Sequence, residues 1–243
     1  MGKALNGLVK ASQLFQDYLS GILTEKLGFK ACLAQRTLLR NASSELSMVI
    51  HVDDPMTTGP DETTIRSFFG HLAGWLKTKL GDAMGANAPT RYLGALYWRR
   101  GDTIIESTGT DYINDMIKLA GVDKGKTMVT PSVRKADGVP LRTLGPAEHR
   151  LFRRFVGKAQ YALPRRPDLL YATKELSRKL ASPDEGDMTA VKRMGRYLRG
   201  AQNMALHLQL DGDLSRLVGR SDSDWGGCKV TRKSTSCGMV SWG

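Results

Sequence analysis

Two adjacent carboxylates, Asp53 and Asp54, close a run of alternating residues and are followed at once by Pro55. Neighbouring carboxylates repel each other, more strongly where water is excluded, and a divalent cation offsets the repulsion. Hard oxygen ligands suit Mg2+ or Mn2+. A solvated acidic turn that binds nothing fits the same two residues. A second group able to do chemistry is cationic. In a helix over 184–200, Lys192, Arg196 and Arg199 fall within about 60° of one another at about 100° per residue, with Arg193 beside them. Ala190, Val191, Met194, Tyr197 and Leu198 take the opposite arc. One face packs, and the other is a solvated face or a contact for a phosphate backbone.

The elements that must position these groups follow from local patterns. Leu46, Met48, Ile50 and Val52 alternate with Ser47, Val49, His51 and Asp53, the period of a strand with two faces. Pro55 lacks a backbone donor, so the ladder is expected to break at the aspartates. Leu38–Asn41 is the expected partner strand, with 42–45 as the turn. Helical spacing predicts helices over 10–28, with Ser12 as N-cap and Gly28 as stop, and over 61–80, with Asp61 as cap and Gly81 as stop. Leu14, Phe15, Tyr18, Leu19 and Ile22 should pack in the first, and Ile65, Phe68, Phe69, Leu72, Trp75, Leu76 and Leu80 in the second. Residues 91–98 read as one strand that pairs through a turn at Arg100-Gly101-Asp102 with a strand at 103–106. Helices are expected at 111–120, 146–163, 166–181 and 184–200, and strands at 204–210, 214–221 and around 238–240. Asp211-Gly212-Asp213 should form a turn, and the polar stretch 121–145, with Asp137-Gly138, suits a domain boundary.

The chain has 243 residues and a net charge of +12. The charge is uneven: from residue 141 onward there are 19 Lys/Arg against 10 Asp/Glu, and before it 17 against 14. A basic half is the footprint of a nucleic-acid partner, although a soluble basic surface has the same charge. No uninterrupted apolar run is long enough to span a bilayer, so no membrane partner is expected. The N-terminus, M-G-K-A-L-N-G-L-V-K, has neither a secretory signal nor a myristoylation pattern. Three scattered cysteines, Cys32, Cys228 and Cys237, have no metal-ligand spacing and fit a reducing setting, cytoplasmic or nuclear.

Several motifs, read in order, resemble the Pol polyprotein of Copia-type LTR retrotransposons. H-V-D-D at 51–54 stands in the place of the reverse transcriptase Tyr-Val-Asp-Asp box, and Y-L-G at 92–94 is similar to the Phe-Leu-Gly of the primer-gripping strands. L-N-G-L at Leu5–Leu8 resembles the family's Leu-Tyr-Gly-Leu, and T-P-S at 130–132 a Thr-Pro that closes the polymerase portion. R-R-P-D-L and A-V-K-R-M-G-R-Y-L-R-G resemble the Thr-Arg-Pro-Asp-Ile and Lys-Arg-Ile-Leu-Arg-Tyr-Leu-Lys-Gly signatures. S-D-S-D-W-G-G followed by R-K-S-T-S is similar to the opening of the family's ribonuclease H domain.

The resemblance implies an α+β chain in three parts. Residues 1–135 would be the rear of the reverse transcriptase, with palm hairpin, primer-grip strands and a thumb-like helix; 136–212 a connection; and 213–243 the start of ribonuclease H. It implies that Asp53 and Asp54, with a third aspartate earlier in the palm, hold two Mg2+ (or Mn2+) for nucleotidyl transfer. Asp222 would be the first metal-binding carboxylate of ribonuclease H, with Asp224 a neighbour and Trp225 a packing residue. Tyr92, Leu93 and Gly94 would position a primer end. Lys192, Arg193, Arg196, Arg199, Arg232 and Lys233 would follow the backbone of an RNA–DNA hybrid or primer–template, and dNTP would be the intact enzyme's substrate. His51, in place of the family's aromatic, is read as drift; Arg220 stands where the family has Tyr, and Cys237 interrupts its Ser-Gly. The first palm aspartate and the later ribonuclease H carboxylates are expected outside this chain, which leaves both sites incomplete. The other reading is a non-catalytic, basic nucleic-acid-binding protein derived from a retroelement.

Overall fold

A computed structural model describes residues 10–85, 87–132, 141–210, 215–228 and 231–242. The L-N-G-L motif, Asp137-Gly138 and the Asp211–Asp213 turn lie outside the described residues. The fold is mixed, with helices and antiparallel strands, as an α+β reading requires. The chain divides into two compact units, Met1–Met84 with Thr90–Gly94, and Gly85–Pro89 with Ala95–Gly243.

The first unit is a four-stranded antiparallel sheet ordered β1 (Lys30–Ala31), β2 (Leu38–Asn41), β3 (Leu46–His51), β4 (Asp54–Thr58). Leu39, Leu46, Met48 and Ile50 face inward and pack with Leu19, Leu23, Phe68, Phe69 and Leu72 from the helices and with Phe29 from the connection before β1. Those helices are α1 (Ala11–Gly21), continued by a π-helical turn over 22–26, and α2 (Glu62–Leu72). Asp61 caps α2, accepting from the Thr64 N–H at 2.7 Å, and this bond holds its carboxyl below the usual range.

Three local expectations need correction. Ser12 lies inside α1, which begins after Lys10 with no side-chain cap, and Leu14 and Tyr18 are about half exposed. Only one arc of α1 and its π-helical continuation packs into the core, the arc that carries Phe15, Leu19 and Ile22. The second helix stops at Leu72 instead of running to 80: Gly74 and Trp75 make short bonds to His71 and Leu72, so the turn tightens. Gly70 and Gly74 favour this early stop, and Trp75 and Leu80 are left exposed. The expected strand 91–98 is broken into β5 (Thr90–Tyr92) and β6 (Ala95–Arg100) by Leu93 and Gly94, which adopt φ of +47° and +77°.

In the second unit β6, β7 (Thr103–Ser107) and β8 (Leu206–Gln209) are successive antiparallel neighbours. Four helices build the core: α3 (Thr110–Leu119), α4 (Pro146–Ala162), α5 (Leu170–Ser177, after a 3₁₀ turn at Pro167–Leu169) and α6 (Glu185–Gly200). Phe152, Phe155, Val156, Leu169, Val191, Met194 and Leu198 are fully buried among them. Asp184 caps α6 through a capping box with Asp187, at 2.9 and 3.0 Å. The described ends of 121–145 are tied into this unit: Val122 is buried, Met128 N–H donates to the Arg196 carbonyl, and Leu144 N–H donates to that of Pro183. A hairpin of β9 (Leu217–Ser223) and β10 (Ser236–Trp242) completes the unit.

Candidate functional site

The acid pair lies at a hairpin turn. β3 and β4 are joined by Val52 and Asp53 alone, so His51 opposes Asp54 and Ile50 opposes Pro55. The expected break at the aspartates is met only at Asp53, in the turn, while Asp54 and Pro55 pair within β4. β4 is an edge strand, and an edge position tolerates the missing donor. Asp53 and Asp54 are both exposed, as is His51 on the outer face of β3. The tip is strained, because the β-branched Val52 adopts φ +55°, a region that L residues avoid.

Tyr92 brings the Y-L-G turn to the same place. Its hydroxyl donates to the Asp54 carbonyl at 3.2 Å, across 38 residues of sequence. Burial, and then the Asp54 charge, push the Tyr92 phenol upward, so it remains a protonated donor. Tyr92, Leu93, Gly94 and the two acids thus gather within the first unit.

Asp53 and Asp54 are the hard oxygen donors that Mg2+ prefers. Among the described residues, however, no group of three His, Cys, Asp or Glu side chains converges here or elsewhere. Two exposed carboxylates are too few to hold two ions in fixed positions, so the residues present do not complete such a site.

The cationic arc of α6 is partly covered by the segment after α3. Arg193 donates to the Thr130 hydroxyl at 2.8 Å and Arg199 to the Val122 carbonyl at 3.3 Å. Gly195 lets the segment approach, since a Cβ there would meet Ala120 and Val122 at 2.7 Å. Lys192 is exposed and Arg196 half-buried, whereas Arg193 and Arg199 also serve as clamps. In the β9–β10 hairpin Asp222 is exposed opposite Cys237. Asp224 instead accepts the Thr235 and Gly227 N–H groups at 2.7 and 3.2 Å, and the Thr235 bond leads in lowering its pKa. That is a turn-forming role. Arg232 and Lys233 are exposed in the loop, which Lys174 and Arg178 fasten to α5 through Thr235 and Cys228. Trp225, expected to pack, is 96% exposed, because no described element lies against this side of the turn.

Sequence reasoning missed two networks that the R-R-P-D stretch builds. Arg166, 1% exposed, forks onto Asp168 at 2.9 and 2.7 Å and donates to the Ala201 carbonyl at 3.1 Å. The Tyr197 hydroxyl also donates to Asp168, at 2.8 Å. Burial pushes the Asp168 carboxyl up, but the Arg166 and Tyr197 bonds and the Arg166 charge outweigh it and hold the pKa below the usual range. Arg165 meets Glu106, which also accepts from the Tyr97 hydroxyl at 2.9 Å. The adjacent Arg-Arg and the Asp two residues on were the available signal; the further partners, Ala201, Tyr197 and Glu106, came from distant sequence.

The chain is 29% identical over 239 residues to the retrovirus-related Pol polyprotein from transposon RE1 of Arabidopsis thaliana, which covers 96% of the chain and 16% of that protein. It is 27% identical over 234 residues to that from transposon RE2 of the same plant, covering 93% of the chain and 15% of that protein. An uncharacterized mitochondrial protein of Arabidopsis thaliana is 27% identical over 203 residues, 80% of the chain and 81% of that protein. The chain thus spans about a sixth of the two polyproteins. No protein-family model matches it, and no solved structure does.

Proposed function

We propose, on the premise that the chain is a homologue of the Copia-type retrotransposon Pol polyproteins, that it is a polymerase-derived segment that holds nucleic acid without extending it alone. In this reading 1–135 corresponds to the rear of a reverse transcriptase, 136–212 to its connection and 213–243 to the start of ribonuclease H. Asp53 and Asp54 are two of the carboxylates that bind Mg2+ in nucleotidyl transfer, and Asp222 is one for hybrid cleavage. The observation that carries the reading is the Tyr92–Asp54 bond, which sets a primer-gripping turn against the acid hairpin. Because only two carboxylates gather there among the described residues, no catalytic step is assigned to this chain by itself. Lys192, Arg232 and Lys233, which are exposed, and the half-buried Arg196 would follow the phosphates of a primer–template or RNA–DNA hybrid.

Two assays test this. Purified chain with primer–template, Mg2+ and dNTPs should leave the primer unextended, and robust extension abolished by Asp53→Ala would overturn the reading. An RNA–DNA hybrid should bind with a steep salt dependence, and Lys192→Ala with Arg196→Ala should flatten the slope by about 1.8, near 0.9 per phosphate neutralised. A chain that binds no hybrid even at low salt refutes the nucleic-acid role.

A further inference from the structure

One face of α4 lies away from its buried stripe and carries exposed residues. Phe152, Phe155, Val156, Ala159 and Ala162 are its buried stripe. On the other side Arg150, Arg154, Gly157 and Tyr161 are spaced 4-3-4 and fall within an arc of about 60°, given about 100° per residue. All four are exposed, Tyr161 by 41%.

Among the described residues the charge along this face is only partly offset. The acids nearest in sequence and space are taken: Glu148 pairs with Arg142 at 3.0 Å, and Asp115 with Lys158 at 2.7 Å. Arg154 lies close enough to help lower the Asp115 pKa, after Lys158, but among the described residues no ion pair engages Arg150 or Arg154. Tyr161 is held at the end of the stripe by the Tyr112 ring at 5.2 Å and by Arg165 over its face at 5.5 Å.

Gly157 is the telling residue. It does not adopt positive φ, and an added Cβ would meet nothing within 4 Å. Neither backbone conformation nor packing requires glycine there, and glycine weakens an exposed helix interior relative to alanine. What it does supply is bare helix backbone between two arginines and a tyrosine, where a broad ridge can come close.

We propose that the Arg150–Arg154–Gly157–Tyr161 face of α4 is a docking surface for the sugar–phosphate backbone of an RNA–DNA hybrid. Arg150 and Arg154 contact phosphates of one strand, Gly157 admits the ridge against the helix, and Tyr161 meets the sugar edge beyond it. This deepens the nucleic-acid reading above and rests on it.

The test uses the whole chain and a fluorescent RNA–DNA hybrid, with binding measured by anisotropy across roughly 50 to 200 mM salt. Arg150→Ala with Arg154→Ala should lower the salt slope by about 1.8, near 0.9 for each phosphate no longer neutralised. Gly157→Leu should weaken binding about tenfold, because the side chain holds the ridge off the helix, while the melting temperature stays at or above that of the parent chain. If both α4 variants bind like the parent while Lys192→Ala with Arg196→Ala binds less tightly, the α4 inference falls and the wider reading stands. If the parent binds no hybrid, both fall. A parent chain that binds anionic phosphatidylserine vesicles but not the hybrid overturns the choice of partner.

Discussion

Replacing Asp168 with alanine removes the acceptor of three hydrogen bonds, two from Arg166 and one from Tyr197. Arg166 keeps the Ala201 carbonyl at 3.1 Å but remains 1% exposed with no counter-charge. Breaking a buried pair from one side costs about 3–5 kcal/mol, because an uncompensated charge is left behind. The Asp168 side chain is 22% exposed, so water screens part of this and the lower end, about 3 kcal/mol, is expected. With a urea m-value of about 3 kcal/mol/M, the midpoint should fall by about 1 M. Far-ultraviolet circular dichroism reads this well, because α3 to α6 all belong to the second unit. Arg166→Met with Asp168→Leu should recover more than half of the loss, since it removes the orphaned charge. The sign with pH follows from the lowered Asp168 pKa: its stabilisation is complete above about pH 4, the unfolded value, and fades as pH falls through the folded value. The gap between the parent and Asp168→Ala should therefore narrow only below about pH 4. A midpoint shift under about 0.3 M at neutral pH, or a gap already closed at pH 6, would refute the reasoning.

Other outcomes follow from single positions. Val52→Gly should stabilise the first unit by up to about 1 kcal/mol in a denaturant melt, because it relieves the strain of φ +55° at the hairpin tip. An unchanged or lower midpoint would show that the tip is not strained. Gly195→Ala should destabilise by about 1–3 kcal/mol, since its Cβ meets Ala120 and Val122 at 2.7 Å, whereas Gly157→Ala should stabilise by about 1 kcal/mol. Equal effects at the two glycines would contradict the packing described. Tyr92→Phe should cost about 0.5–1.5 kcal/mol through loss of the bond to the Asp54 carbonyl, measured by urea unfolding of the first unit.

Much of the candidate site was legible locally. The alternation over 46–52 placed β3, the spacing of Val191, Met194 and Leu198 placed α6, and the adjacency of Asp53 and Asp54 marked the acid turn. Errors arose where a local rule met a long-range partner. Pro55 reads as a ladder breaker, yet an edge strand needs no outward donor, so β4 runs through it. Tyr18 and Leu14 fit a helical stripe, but only the side with Phe15, Leu19 and Ile22 packs into the core. The 91–98 run reads as one strand despite Gly94, and the positive φ of Leu93 and Gly94 shows the turn inside it.

Capping, periodicity and charge act over a few residues, so the positions of the acids, the basic half and most helices could be read locally. Only the folded chain shows their partners: Tyr92 on Asp54, Tyr197 on Asp168, Arg166 on the Ala201 carbonyl, and the 122–130 segment on α6. These pairings join residues up to 77 positions apart. They depend on which buried faces meet, and packing geometry is not written in any short window of sequence.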